Sequence, residues 1–146
     1  MHFSLPTYLL ATLAAYSTAI IAAPIPADPT PAPLWTLTGM KRICNAEDTK
    51  CTWTFGIKIE DPNSTLTPCT LETAGSQASG GPVTCGSFIL TSAWSGYFGA
   101  DEGFTTFMVH GTITDRTAWP AYTDKQVMDG KVVTPDLGFP VTARAA

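Results

Sequence analysis

Few side chains in this chain are placed to do chemistry. His110 is the only histidine after His2. A Ser-His-Asp triad would have to be built on it, and the chain has no G-x-S-x-G elbow to present a serine. Ser92 and Ser95 flank Trp94, but nothing in the local pattern sets a base beside them. The cysteines are Cys44, Cys51, Cys69 and Cys85. A zinc site asks for CxxC-like pairs or histidine partners, and these spacings supply neither. A glycoside hydrolase needs two carboxyl groups facing each other about 5–10 Å apart. The candidates are Glu60, Asp61, Glu72, Asp101, Glu102 and Asp115, most of them in turns or on polar strand faces where carboxylates are solvated. This reading assigns no catalytic residue, no metal and no cofactor, and the chain is expected not to be an enzyme.

Two features point to surfaces. Trp35, Trp53, Trp94 and Trp119, with Tyr97, Phe98 and Tyr122, have the chemistry of a sugar-stacking platform. They also have the chemistry of a core, because Trp and Tyr bury a large apolar body behind one polar handle. Alternation assigns Trp35 and Trp53 to the core. Tyr97 and Phe98, in a glycine-punctuated stretch with Asp101, are the expected recognition surface. Asn63-Ser64-Thr65 is an N-x-T sequon without proline, so Asn63 is a candidate glycosylation site on a surface loop.

The elements that must position these residues read as β-structure. From Cys51 to Glu60, CTWTFGIKIE alternates apolar and polar residues, the pattern of a strand with one buried face. Leu34–Cys44 is a second β-prone run, and the polar stretch 45–50 between them is turn-forming. An antiparallel hairpin follows, with Lys41-Arg42 as a solvated strand edge. Four cysteines allow three pairings. The hairpin sets Cys44 opposite Cys51, near disulfide reach, and Cys69–Cys85 then closes the second loop. Cys69–Thr73, Cys85–Trp94, Phe104–His110 and Arg116–Tyr122 are further strand candidates. Residues 74–82 are expected as a flexible loop, and Pro120 as an edge, bulge or strand end. Thr123 and Gln126 fit a capping box for one short helix over 124–129. A last strand is expected at Lys131–Thr134, with an irregular tail after Pro135. The expected fold is all-β, a small antiparallel barrel or sandwich with one short helix and two disulfides.

Residues 1–23 contain no Asp, Glu, Lys or Arg, and Leu5–Ala23 is mostly apolar and ends in small residues. This is the form of a secretory signal peptide. A transmembrane anchor would need about 20 continuous apolar residues, and Pro6, Thr7, Thr12, Ser17 and Thr18 interrupt the run. Residues 24–33, PIPADPTPAP, read as an extended proline-rich linker, and 34–146 as one secreted domain. Export suits disulfide formation in an oxidising compartment. The formal net charge of −4 disfavours nucleic acid and anionic lipid as partners, since both attract basic surfaces. No membrane insertion is expected of the mature chain, and it is expected as a monomer.

Several segments, in order, resemble one known family. These are KRICNAEDTKCTWTFGI (Lys41–Ile57), GGPVTCGSF (Gly80–Phe88), SAWSGYFG (Ser92–Gly99), GFTTF (Gly103–Phe107) and AWPAYTDKQV (Ala118–Val127). Together they resemble the small secreted proteins of filamentous fungi known as hypersensitive-response-inducing protein elicitors. The resemblance spans about Leu34 to Pro135, and Gly111–Thr117 matches it least. It implies a compact barrel-like fold with two disulfides, secretion by a fungus, and recognition by a plant extracellular or cell-surface component that triggers defence. It supplies no catalytic residues. The alternative from the residues alone is a carbohydrate-binding module or small glycoside hydrolase acting on cell-wall polysaccharide. That alternative requires a flat aromatic strip or a groove with two facing carboxylates. A structural protein of the fungal wall is a third reading.

Overall fold

A computed structural model describes Pro24 and residues 31–143. The expected signal peptide and most of the proline-rich linker lie outside the described residues. The first hairpin joins β1 (Leu34–Cys44) to β2 (Cys51–Ile59), antiparallel, with Cys44 directly opposite Cys51. In β2 the alternation read from sequence is the burial seen: Cys51, Trp53, Phe55 and Ile57 are buried, while Thr52 and Thr54 are only partly so. Gly56 is buried too, because a Cβ there would lie 2.7 Å from Leu66 and Thr38 side-chain atoms. β3 (Thr67–Thr73) adds to the other edge of β2.

β1 does not keep one phase. Its ladder with β2 shifts register between Thr38 and Lys41, and Gly39 sits there with φ +60°. This is a β-bulge, which inserts one residue and exchanges the two faces beyond it. Trp35 and Leu37 point inward before the bulge, and Met40 and Arg42 after it. Backbone groups freed by the bulge are satisfied from far along the chain. The Gly39 amide donates to Asp136 Oδ1 at 2.9 Å, and the Met40 carbonyl accepts from the Val133 amide at 2.9 Å. Lys41-Arg42 is therefore not a solvated edge, because Arg42 is buried.

The second half is β4 (Gly80–Cys85), β5 (Phe88–Ser95) and β6 (Phe104–Gly111), each antiparallel to the next. The run Cys85–Trp94 expected as one strand is broken by a turn at Gly86-Ser87, and the loop expected over 74–82 shortens because Gly80 already belongs to β4. Gly86 adopts φ +54° there, the left-handed conformation that a tight turn needs and glycine supplies freely. The run Arg116–Tyr122 splits around Pro120 into β7 (Arg116–Ala118) and β8 (Ala121–Thr123), both paired with β6. The Thr123–Gln126 capping box is present and starts α1 (Asp124–Val127); a 3-10 turn over Met128–Gly130 replaces the rest of the expected helix.

Two expectations at the C-terminal end are corrected. Lys131–Thr134 is not a strand, and the segment beyond Pro135 is not irregular: β9 (Leu137–Ala143) lies there. β9 pairs with β1 through Leu137–Pro140 and with β7 through Val141–Ala143. Pro140, which has no N–H to donate, falls where the strand changes partner, so the proline costs little in ladder bonds. β9 thus joins the two halves into one sheet of order β3-β2-β1-β9-β7-β6-β5-β4.

The sheet curls until its terminal strands, β3 and β4, lie against each other. Over the described residues the fold is a nearly closed antiparallel barrel with two disulfides and one short α-helix, as expected. Cys69 on β3 is bonded to Cys85 on β4 across the seam, and Cys44 to Cys51 at the turn end of the first hairpin. Gly80 allows the close approach of β4 to β3, since a Cβ there would lie 2.8 Å from the Glu72 carbonyl oxygen. Inside, edge-to-face pairs Trp35–Phe88, Trp53–Phe107 and Phe55–Phe107, with centroids 5.2, 5.0 and 5.7 Å apart, link the two halves. Each such pair contributes about 0.5–1.5 kcal/mol beyond area burial. Trp35 and Trp53 are core residues, as alternation required. Tyr122 is also core, against Phe107 and Phe139, and so is removed from the candidate sugar platform. Among the described residues, no helix is long and apolar enough to cross a membrane.

Candidate functional site

The strand directions sort the loops to two ends. One end carries the loop 60–66, the Gly86-Ser87 turn and the turn 112–115. The other carries the hairpin turn 45–50, the loop 74–79, the loop 96–103 and α1. Tyr97, Phe98 and Asp101 belong to the second end and are all exposed. Tyr97 is 85% exposed and Phe98 69%, unusual for two adjacent aromatics, since large apolar side chains held in water mark contact surfaces. Their rings meet edge to face at 5.2 Å and 86°. Phe98 also lies 6.0 Å from Phe104 at 33°, over an open hollow of about 380 Å³ lined by Phe98, Glu102, Phe104, Ala121, Tyr122 and Thr123.

The loop is held from beneath. Gly96 and Gly103 clasp the Trp94 indole, and a Cβ on Gly96 would lie 2.6 Å from that ring. Trp94 Nε1 donates to Asp124 Oδ2 at 2.9 Å, and the Asp124 amide donates to the Gly103 carbonyl at 2.9 Å. Asp124 Oδ1 accepts from Arg42 Nη1 at 2.6 Å. That same nitrogen donates to the Ser76 carbonyl at 3.0 Å, and the guanidinium lies 5.2 Å from the Trp53 ring centroid, within cation–π range. Arg42 and Asp124 therefore join β1, the loop 74–79, α1 and the aromatic loop. Lys125 and Glu102 add an exposed pair at 2.5 Å, a contact of little energetic weight in water. Residue-type reasoning missed both Arg42 and Asp124. The one local signal was Asp124 in the first turn after a capping box.

A second brace runs through Asp48. Its carboxylate accepts from the Ser76 hydroxyl at 2.7 Å and the Ser76 amide at 2.8 Å. The hydroxyl first, and then the amide, hold Asp48 below its ordinary value of 3.8. A lowered carboxylate pKa stabilises the fold above the unfolded value, and that contribution is lost as pH falls through the folded value. Ser76→Ala is therefore expected to lower the urea midpoint at neutral pH, with the gap from the parent chain narrowing as pH falls below 3.8. Denaturation curves across the acid range check this. A gap independent of pH would show that the hydroxyl acts by some route other than Asp48.

The remaining candidates do not assemble into catalytic machinery. Ser92 lies inside the barrel, whereas His110 is on the outer face of β6, so the sheet stands between them. His110 Nδ1 lies 3.1 Å from Thr117 Oγ1, and its Nε2 3.8 Å from Asp115. Ser95 Oγ accepts from the Tyr97 amide. Glu60 and Asp61 accept from the Leu34 and Asn63 amides, and Glu72 pairs with Lys50. Asp101 and Asp124 share one groove of about 520 Å³ with Arg42 and Lys125. Both Asp124 oxygens are already engaged there, one by Arg42 and one by Trp94. Cys44, Asp48 and Cys51 come close together, but the two sulfurs are bonded to each other and offer no thiolate to a metal. Trp94 is half-buried under the loop, and Trp119 is exposed. Asn63 is exposed in the loop 60–66, at the end away from the aromatic loop.

Fold and site together define a small disulfide-stapled β-barrel that presents an anchored aromatic loop. Within that class the chain belongs to a fungal effector family: the family model Effector TSP1 matches residues 36–144. The chain is 51% identical over 138 residues to Effector TSP1 of Hypocrea virens (strain Gv29-8 / FGSC 10586), an alignment covering 90% of this chain and 92% of that protein. The resemblance read from the cysteine frame and the AWPAYTD segment holds at the level of a fungal effector family.

Proposed function

We propose that this protein is a secreted, non-enzymatic fungal effector of the elicitor type. A plant extracellular or cell-surface component reads it at the Tyr97–Phe98–Asp101 loop and responds with defence and local cell death. The observation that carries the reading is a pair of exposed aromatics on a loop pinned to a stapled barrel in a chain of an effector family. A few aromatic anchors buried in well-packed pockets carry most of the energy of many interfaces. Pre-ordering by Trp94 and Asp124 lowers the entropy lost when the loop is bound.

The test is infiltration of plant leaves with native protein and with reduced, alkylated protein, followed by oxidative burst and cell death. The native form alone is expected to elicit. Tyr97→Ala and Phe98→Ala are expected to alter stability by no more than about 0.5 kcal/mol, as surface changes do, and to lower the response sharply. A full response from either variant would remove the loop from the reading. No response to native protein would turn attention to polysaccharide binding, for which the crossed planes of Tyr97 and Phe98 make a poor flat strip.

A further inference from the structure

The sequon at Asn63 has no part in the function proposed above. We propose that Asn63 carries an N-linked glycan and that the glycan marks the barrel end opposite the aromatic loop. Asn63, Ser64 and Thr65 lie in the connection between β2 and β3, and Asn63 and Thr65 are exposed. The connection is a formed turn. The Ser64 amide donates to the Asp61 carbonyl, the Asn63 amide to Asp61 Oδ1 at 2.8 Å, and Ser64 Oγ to the Ile59 carbonyl at 3.0 Å. These bonds occupy backbone groups and the Ser64 hydroxyl; the Asn63 side-chain amide makes no hydrogen bond among the described residues. A bulky polar substituent on it breaks no contact of the fold, as an attached glycan requires.

The surroundings suit a sugar. Asn63, Thr65, Thr67 and Ser87 line a hollow of about 260 Å³ beside Ile59, which offers hydroxyls and one apolar wall to the first residue of the glycan. The reaction is transfer of an oligosaccharide from a lipid-linked diphosphate donor. The bond from the sugar C1 to the diphosphate oxygen breaks, a bond from C1 to Asn63 Nδ2 forms, and the amide loses one proton as the diphosphate leaves. The eight-residue strand β6 runs from one end of the barrel to the other, a length of about 23 Å measured along the strand. A glycan on Asn63 therefore shields the far end and leaves Tyr97 and Phe98 open to a partner.

The modification requires entry into the secretory pathway, so it rests on the export reading, and the test separates the two. The full chain is expressed in a filamentous fungus with its own N-terminus and, in parallel, behind a host leader. Secreted protein is treated with a peptide N-glycosidase and analysed by peptide mass. The expected result is a gel shift on treatment and conversion of Asn63 to aspartate, with the shift abolished in Asn63→Gln and in Thr65→Ala but kept in Thr65→Ser. Glycosylated protein from the host-leader arm alone would support the site while removing the export reading. Secreted, folded protein with an unmodified Asn63 peptide in either arm would overturn the inference.

Discussion

Asp124→Ala is expected to lower stability by about 3–5 kcal/mol, the cost of leaving one member of a buried ion pair alone. Arg42 is only 7% exposed, against 22% for the Asp124 side chain. The charge left behind would thus be almost wholly out of water, with the Ser76 carbonyl as its remaining hydrogen-bond partner. Trp94 Nε1 would lose its acceptor in the same step. Small domains have about 5–15 kcal/mol in total, so the loss is a large share. Arg42→Met is expected to cost less, because the stem over Trp53 is kept and the charge left behind, Asp124, has water within reach. Urea midpoints of the two variants test the order. A second readout, hydrogen exchange at 96–103, tests whether the aromatic loop loosens with the pair. An Asp124→Ala chain as stable as the parent would show that the pair does not hold this end together.

Removal of the seam disulfide by Cys69→Ser with Cys85→Ser is expected to cost about 3 kcal/mol, and removal of the hairpin disulfide by Cys44→Ser with Cys51→Ser about 2.5 kcal/mol, on the chain-entropy relation. The sequence separations are 16 and 7, so length alone hardly distinguishes them. Topology does. Cys44 and Cys51 already face each other in a hydrogen-bonded ladder, and their strands stay paired when the bond is lost. β3 and β4 end the order of the sheet, so Cys69–Cys85 is the covalent link across the barrel's open seam. Hydrogen exchange should therefore show lost protection in β3 and β4 for the seam variant and retained protection in β1 and β2 for the hairpin variant. Equal protection in both would mean that packing of Leu71 and its neighbours closes the barrel without the bond. A seam that opens would also account for the expected loss of elicitation on reduction without any part for the cysteines in recognition.

Much of the fold was legible because its cause is local. The period of β2, the Cys44–Cys51 hairpin and the Thr123–Gln126 cap each depend on residues within a few positions of one another, and each was read correctly. β9 was missed because Gly138 and Pro140 are strand breakers by local rule. They are tolerated because the strand exchanges β1 for β7 at that point. The single run assigned to Cys85–Trp94 erred in the other direction, since its β propensity concealed a turn at Gly86-Ser87.

The site divides in the same way. Exposure of Tyr97 and Phe98 followed from glycine-rich surroundings that cannot bury them, and disulfide use followed from cysteine count and context. Alternation alone, carried through β1 from Trp35 and Leu37, turns Lys41 inward and Arg42 outward. The bulge at Gly39 reverses that assignment, and it is stabilised by Asp136, 97 residues away. The partner Arg42 then meets is Asp124, 82 residues away. By itself the sequence determined an all-β, twice-stapled chain with an exposed aromatic turn, because period, composition and turn chemistry act over short stretches. Only the tertiary structure decided which charge is buried and what it holds, because burial of an ion pair depends on the closing of a barrel whose strands come from opposite ends of the chain.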